Sequence, residues 1–96
     1  MLNIIKKTEN DSMIVSLEGR LDTNTATQLE AELKAPTASC LILDLEKLDY
    51  ISSAGLRVLL SAQKRMAQGS MKLIHVQGAV MEIFEITGFT DIFDIE

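Results

Sequence analysis

Two adjacent hydroxyls, Ser52 and Ser53, stand where an apolar run gives way to a helix-like pattern, and Ala54 and Gly55 follow them. A hydroxyl at such a junction can do one of two things. It can cap the helix by accepting a bond from a first-turn backbone N–H. It can also receive a phosphate, because a helix start offers unpaired amides and a partial positive charge. Gly55 has no side chain, so a large partner group could come close to the backbone there. The carboxyl end of a strand is the usual functional edge of an open α/β sheet. Taken alone, Ser-Ser-Ala-Gly is also a plain helix cap followed by a glycine chosen for tight packing.

Other reactive side chains are scarce. A serine nucleophile would need an imidazole base, and His75 is the one histidine in the chain. The Gly-x-Ser-x-Gly elbow and the Gly-rich phosphate loop with Lys are both missing, which argues against an enzyme. A single Cys excludes a disulfide framework and a Cys-based zinc site, and a single His excludes a site needing two imidazoles. The expectation is therefore no metal and no cofactor. His75 reads as a packed strand residue, Cys40 as a small core hydrophobe and the five Met residues as gap fillers. Asp44 closes an apolar strand, where it can bond loop amides.

The elements that hold these residues follow from periodicity. Leu2 to Lys7 is a short apolar-led run. Glu9-Asn10-Asp11-Ser12 is a turn, and Met13, Val15 and Leu17 alternate as a strand that ends at Gly19, so the pair predicts a hairpin. Asp22, Thr23, Asn24 and Thr25 offer caps for a helix over about residues 25–34, with Ala26, Leu29, Ala31 and Leu33 as its apolar stripe and Pro36 as its stop. Cys40 to Leu45 suits a strand buried on both faces, and residues 46–53 read as a loop. Residues 54–68 form the longest helical pattern, with Leu56, Leu59, Leu60, Gln63 and Ala67 in register and Gly69 closing it. Met71 to Val76 is a strand. A third helix from Gln77 or Gly78 carries Val80, Ile83, Phe84 and Ile86 and ends at Gly88, and a last short strand lies within residues 89–95.

The predicted order is β-β-α-β-α-β-α-β, an α/β fold with a mixed sheet and helices mainly on one side. With 96 residues, 47 % of them apolar, one domain with one core is expected. Three Phe, one Tyr and no Trp make that core aliphatic. Fourteen acids against nine bases give a charge of −5, contrary to the basic stripe of a nucleic-acid binder. No apolar run nears the roughly 20 residues of a membrane span, and the N-terminus is unlike a signal peptide, so a cytoplasmic protein is expected.

Taken together, the apolar strand with Asp44-Leu45, a spacer, Tyr50-Ile51-Ser52-Ser53-Ala54-Gly55-Leu56 and an apolar helix resemble the central signature of STAS domains. More narrowly, they are similar to bacterial anti-sigma factor antagonists of the SpoIIAA type. Leu17-Glu18-Gly19-Arg20-Leu21-Asp22 resembles the family's Leu-x-Gly-x-Leu-Asp block, and residues 80–89 resemble its last helix and turn. The three blocks span 1–96 as a single STAS domain. The chain stops where many relatives add a terminal helix.

The resemblance implies a switch. In switched members, a kinase that is also the anti-sigma factor phosphorylates the first hydroxyl after the Asp of Asp-Ser-Ser/Thr-Gly, two residues before the Gly. That position is Ser53 here. Ser52 stands in place of the Asp and is the second candidate acceptor, and Ala54 replaces the second hydroxyl. Bare, the domain would bind the anti-sigma factor serine kinase, and phosphorylated it would release it, with a serine phosphatase resetting the cycle. Asp22, Thr23, Asn24, Ser52, Ala54, Gly55, Leu56 and Arg57 are the expected partner-binding residues. The alternative is an unphosphorylated STAS module of a lipid or anion transport system.

Overall fold

A computed structural model describes residues 2–33, 39–66 and 69–96. Along the chain run β1 (Leu2–Glu9), β2 (Ser12–Leu21), α1 (Thr23–Leu33), β3 (Cys40–Ile51), α2 (Ser53–Arg65), β4 (Ser70–Ile74), α3 (Gly78–Thr87), a 3-10 turn (Phe89–Asp91) and β5 (Asp94–Ile95). The strands form one sheet in sequence order, β1-β2-β3-β4-β5. The first pair is antiparallel and the rest are parallel. This is the predicted order, with the 3-10 turn added.

The hairpin forms as alternation predicts. Glu9 pairs with Ser12 around Asn10, whose φ of 53° is a left-handed conformation that asparagine tolerates. Val15 and Leu17 point to the core and Met13 packs against it. β2 does not stop at Gly19. The chain passes through Gly19 at φ 110°, shifts register against β3 and continues to the buried Leu21.

β3 differs most from expectation. It extends to Ile51 through the stretch read as a loop, because the prolonged β2 supplies a parallel partner as far as Leu21↔Ile51. A register shift lies between the pairs Ser16↔Asp44 and Glu18↔Lys47. Nor is β3 buried on both faces. Leu41, Leu43 and Leu45 are buried, while Cys40, Ile42 and Asp44 between them are half-buried. The helices cover one face of the sheet and leave the other bare, so Cys40 is not a core residue. Ile5 is exposed on that bare face, and Ile14, Ile42 and Ile74 are half-covered there.

On the covered face, α1 buries Thr25, Ala26, Leu29 and Leu33, and Ala31 faces solvent. The Pro36 stop falls outside the described residues. α2 buries Gly55, Leu56, Val58, Leu59 and Ala62. Leu60 and Gln63 are half-buried, and the Gln63 amide donates to the Ile92 carbonyl at 2.6 Å. Ala67 and Gln68 fall outside the described residues, and the Gly69 N–H bonds the Met66 carbonyl beyond the helix. α3 buries Val80 and Phe84 and ends at Gly88, φ 79°, as predicted, but Ile86 is 77 % exposed. Phe93 packs edge-on against both Phe84 and Phe89, which ties the 3-10 turn to the core.

β4 ends at Ile74, earlier than predicted. His75 turns out of the strand at φ 55° and its side chain is exposed, so it is not a packed strand residue. No described helix is long and apolar enough to cross a membrane.

Candidate functional site

Two helix starts meet at the carboxyl ends of β2 and β3. These strands are parallel neighbours and finish together at Leu21 and Ile51, and each feeds a helix after one residue. The residues that follow, Asp22 and Ser52, therefore lie side by side. The Ser52 N–H donates to the Leu21 carbonyl at 2.8 Å, which locks the two turns together.

Asp22 caps α1. Its Oδ1 accepts from the Asn24 and Thr25 N–H groups, each at 3.0 Å. Thr25 returns the bond, as its Oγ1 accepts from the Asp22 N–H at 2.8 Å and donates to the Arg20 carbonyl at the same distance. This reciprocal pattern satisfies donors that a helix start leaves unpaired. The Thr25 amide, aided by the Thr25 hydroxyl and the Asn24 amide, holds the Asp22 carboxyl below its ordinary value of 3.8. The reciprocal role of Thr25 escaped the sequence reading, because the usual sign of such a box is Glu or Gln three positions after the cap, where this chain has Thr25.

Ser52 caps α2. Its Oγ accepts from the Gly55 N–H at 3.2 Å, and its backbone is extended as a cap requires. Ser53 is the first residue of the helix and is exposed. The two hydroxyls thus divide the work proposed for either, with Ser52 turned to the backbone and Ser53 open to solvent. Asp22, Ser52 and Ala54 are partly exposed, Thr23, Asn24 and Arg57 are exposed, and all share the same end of the molecule.

Gly55, expected at a docking face, is buried, and Leu56, expected either in the core or beside that face, is in the core. A Cβ on Gly55 would stand 2.7 Å from Leu21 Cγ and 2.9 Å from Ile51 Cγ1. Gly55 therefore lets α2 sit directly on the two strand ends. Between α1 and α2 runs a shallow groove lined by Thr23, Thr27 and Glu30 on one side and by Ala54, Arg57 and Ser61 on the other, with Ala26 and Val58 in its floor. Thr27, Glu30, Val58 and Ser61 carry no motif, and only the packing of α1 on α2 reveals them. Flanking the caps, the Arg20 guanidinium lies 4.3 Å above the Tyr50 ring of its cross-strand partner.

His75 does not join this site. Its Nδ1 pairs with Asp44 Oδ1 at 3.0 Å on the bare face of the sheet. Asp44 also accepts from the Glu46 N–H, a strand amide. Among the described residues, no hydrogen bond links Ser53 to an imidazole.

Against known proteins, residues 3–96 match the STAS domain family. The putative anti-sigma factor antagonist BtrV of Bordetella bronchiseptica is 45 % identical over 91 residues, covering 88 % of this chain and 78 % of the relative. The anti-sigma-B factor antagonist of Bacillus subtilis is 33 % identical over 95 residues, covering 95 % of this chain and 86 % of the relative. Among solved structures, an anti-sigma factor antagonist from Mycobacterium paratuberculosis superposes with a TM-score of 0.91 at 20 % identity, covering 99 % of this chain and 85 % of that one. The unphosphorylated form of the antagonist SpoIIAA superposes with a TM-score of 0.82 at 17 % identity, covering 98 % and 88 %.

Proposed function

The chain belongs to the STAS domain family, and from that premise we propose that it is an anti-sigma factor antagonist, a partner switch controlled by phosphorylation of Ser53. Bare, it binds an anti-sigma factor that is also a serine kinase. Phosphorylated, it lets that partner go, and a serine phosphatase restores it. It works by being bound and modified rather than by catalysing a reaction. A switch driven by a kinase that holds ATP operates in the cytoplasm.

The observation that carries this reading is the division between the two serines. The Ser52 hydroxyl is engaged at the α2 cap, while Ser53 is exposed one residue later. A phosphate on Ser53 adds a charge of roughly −1.5 to −2. The first-turn amides of α2 and the helix dipole favour it there. Arg57 lies four residues on, one helical turn away and exposed, within the spacing at which side chains on one helix face meet. The free domain therefore accommodates the modified state without refolding.

The cost falls on the complex. A partner seated on the groove would meet Ala54, the residue after Ser53, with Glu30 in the opposite wall and Asp22 in the turn tied to Ser52. Burying a dianion against apolar and acidic groups is opposed by desolvation and repulsion. A penalty of about 3 kcal/mol weakens binding on the order of a hundredfold, enough to free the partner.

The test is incubation with the cognate kinase and ATP, followed by mapping of the modified residue by mass spectrometry. Phosphate on Ser53 is expected, and its absence from both Ser53 and Ser52 would end the switch reading. In partner binding, Ser53→Ala should hold and Ser53→Asp should weaken, and equal affinities would refute the electrostatic mechanism.

A further inference from the structure

On the bare face of the sheet, away from the helix caps, three possible metal ligands converge. Asp44 and Glu46 are two apart on β3, and Asp44 pairs in register with Ile74 at the end of β4. The next residue, His75, therefore lands beside Asp44. Asp44 Oδ1 lies 3.0 Å from His75 Nδ1, and Glu46 Oε1 lies 3.8 Å from the same nitrogen. One ligand atom from each of the three residues lies within 4.8 Å of the others.

The arrangement is held from several sides. Asp44 Oδ1 accepts the Glu46 N–H at 3.1 Å. The chain leaves β4 at His75 with a left-handed φ of 55°, and the Gln77 side-chain amide donates to the His75 carbonyl at 3.2 Å. The nearby cation Lys47 is directed to Glu18 at 3.4 Å, so the two carboxylates of the cluster face one imidazole.

We infer that Asp44, Glu46 and His75 form a binding site for a divalent transition-metal ion of the zinc type, with a coordination position open to solvent. Carboxylate oxygen and imidazole nitrogen are both ligands of such ions, at about 2.0–2.2 Å. Tetrahedral bonds of that length place ligand atoms about 3.3–3.5 Å apart. The observed 3.0 and 3.8 Å straddle that spacing. Three protein ligands leave the fourth position free, as in zinc sites that exchange a water or a substrate. The count of imidazoles and thiols that argued against a metal did not weigh carboxylates, which supply two of the three ligands here.

The experiment titrates the full chain with Co2+ followed by visible absorption, and with Zn2+ in competition. One ion per chain is expected, with Zn2+ displacing Co2+. His75→Asn keeps a residue that tolerates the left-handed turn but removes the imidazole. It should lose affinity by more than about tenfold, as should Asp44→Asn, with far-ultraviolet circular dichroism unchanged. Cys40→Ser should bind as the unaltered chain does. Absence of saturable binding would overturn the site, leaving Asp44–His75 a plain side-chain hydrogen bond. So would binding that survives His75→Asn or that disappears in Cys40→Ser.

Discussion

Alanine at Gly55 and alanine at Gly78 should move stability in opposite directions, although both glycines lie in the first turn of a helix. At Gly55 the new Cβ meets Leu21 Cγ at 2.7 Å, Ile51 Cγ1 at 2.9 Å and Leu21 Cδ2 at 3.0 Å. Leu21 and Ile51 are both fully buried, so neither can swing aside into solvent. The start of α2 must instead lift off the strand ends. Overpacking of this kind costs about 1–3 kcal/mol, and the better helix propensity of alanine returns at most about 1 kcal/mol. With about 1 kcal/mol returned, the net loss is up to about 2 kcal/mol, which in a chain of this size lowers the melting temperature by up to about 16 °C. At Gly78 nothing lies within 4 Å of the added Cβ, and the residue is exposed. Alanine there should raise stability by up to about 1 kcal/mol, chiefly by restricting the unfolded chain. Thermal unfolding of the two variants beside the unaltered protein reads both signs. A Gly55→Ala protein that melts at or above the unaltered one would refute the claim that this glycine exists to seat α2. The same lift would tilt Ser52 and Ser53, so Gly55→Ala should also bind the partner more weakly.

Further outcomes concern the neighbouring turns. Ser52→Ala removes the acceptor of the Gly55 N–H and should cost about 1 kcal/mol in urea unfolding, while phosphate incorporation at Ser53 continues. Gly69→Ala should destabilise more than Gly55→Ala, because its Cβ would stand 2.1 Å from the Ser39 carbonyl oxygen, a backbone atom that cannot rotate away. The Asp22 carboxyl is held below 3.8 in the folded protein, so its stabilising contribution is complete above that pH and is lost as pH falls through the lower folded value. The gap in urea midpoint between the unaltered protein and Asp22→Asn should therefore narrow from pH 7 to pH 3, and a gap that widens would contradict the capping geometry.

Local signals were readable where a single element decides them. Alternation at Met13, Val15 and Leu17, the turn at Asn10 and the Gly88 stop all appear as predicted. The continuation of β3 was hidden because burial there recurs at Leu45, Leu48 and Ile51, every third residue across a register shift, which matches neither a strand nor a helix. An apolar run such as Cys40–Leu45 reads the same whether both faces are covered or one, and only the placing of every helix on one side decides it. His75 was misplaced by extending the alternation of Met71 and Leu73 one step past the point where the chain leaves the sheet. At the caps, residues 52–55 were legible because capping is local. The groove beside them was not, because Thr27, Glu30 and Ser61 acquire their place only when β2 and β3 set α1 against α2.

Because the sheet lists its strands in the order of the chain, no strand has to wait for a later one to find its neighbour. As the polypeptide leaves the ribosome, β1 and β2 can close first, β3 can add to them once α1 has crossed, and β4 and β5 can follow. Assembly then advances along one front, and each new strand joins the edge left by the strand made before it. Helix α2 emerges just after its seat, Leu21 and Ile51, has been synthesised. The front closes on β5, only two residues long, which leaves another chain little edge to join. At the opposite border β1 carries Lys6 and Lys7, charges that discourage the same pairing from the other side.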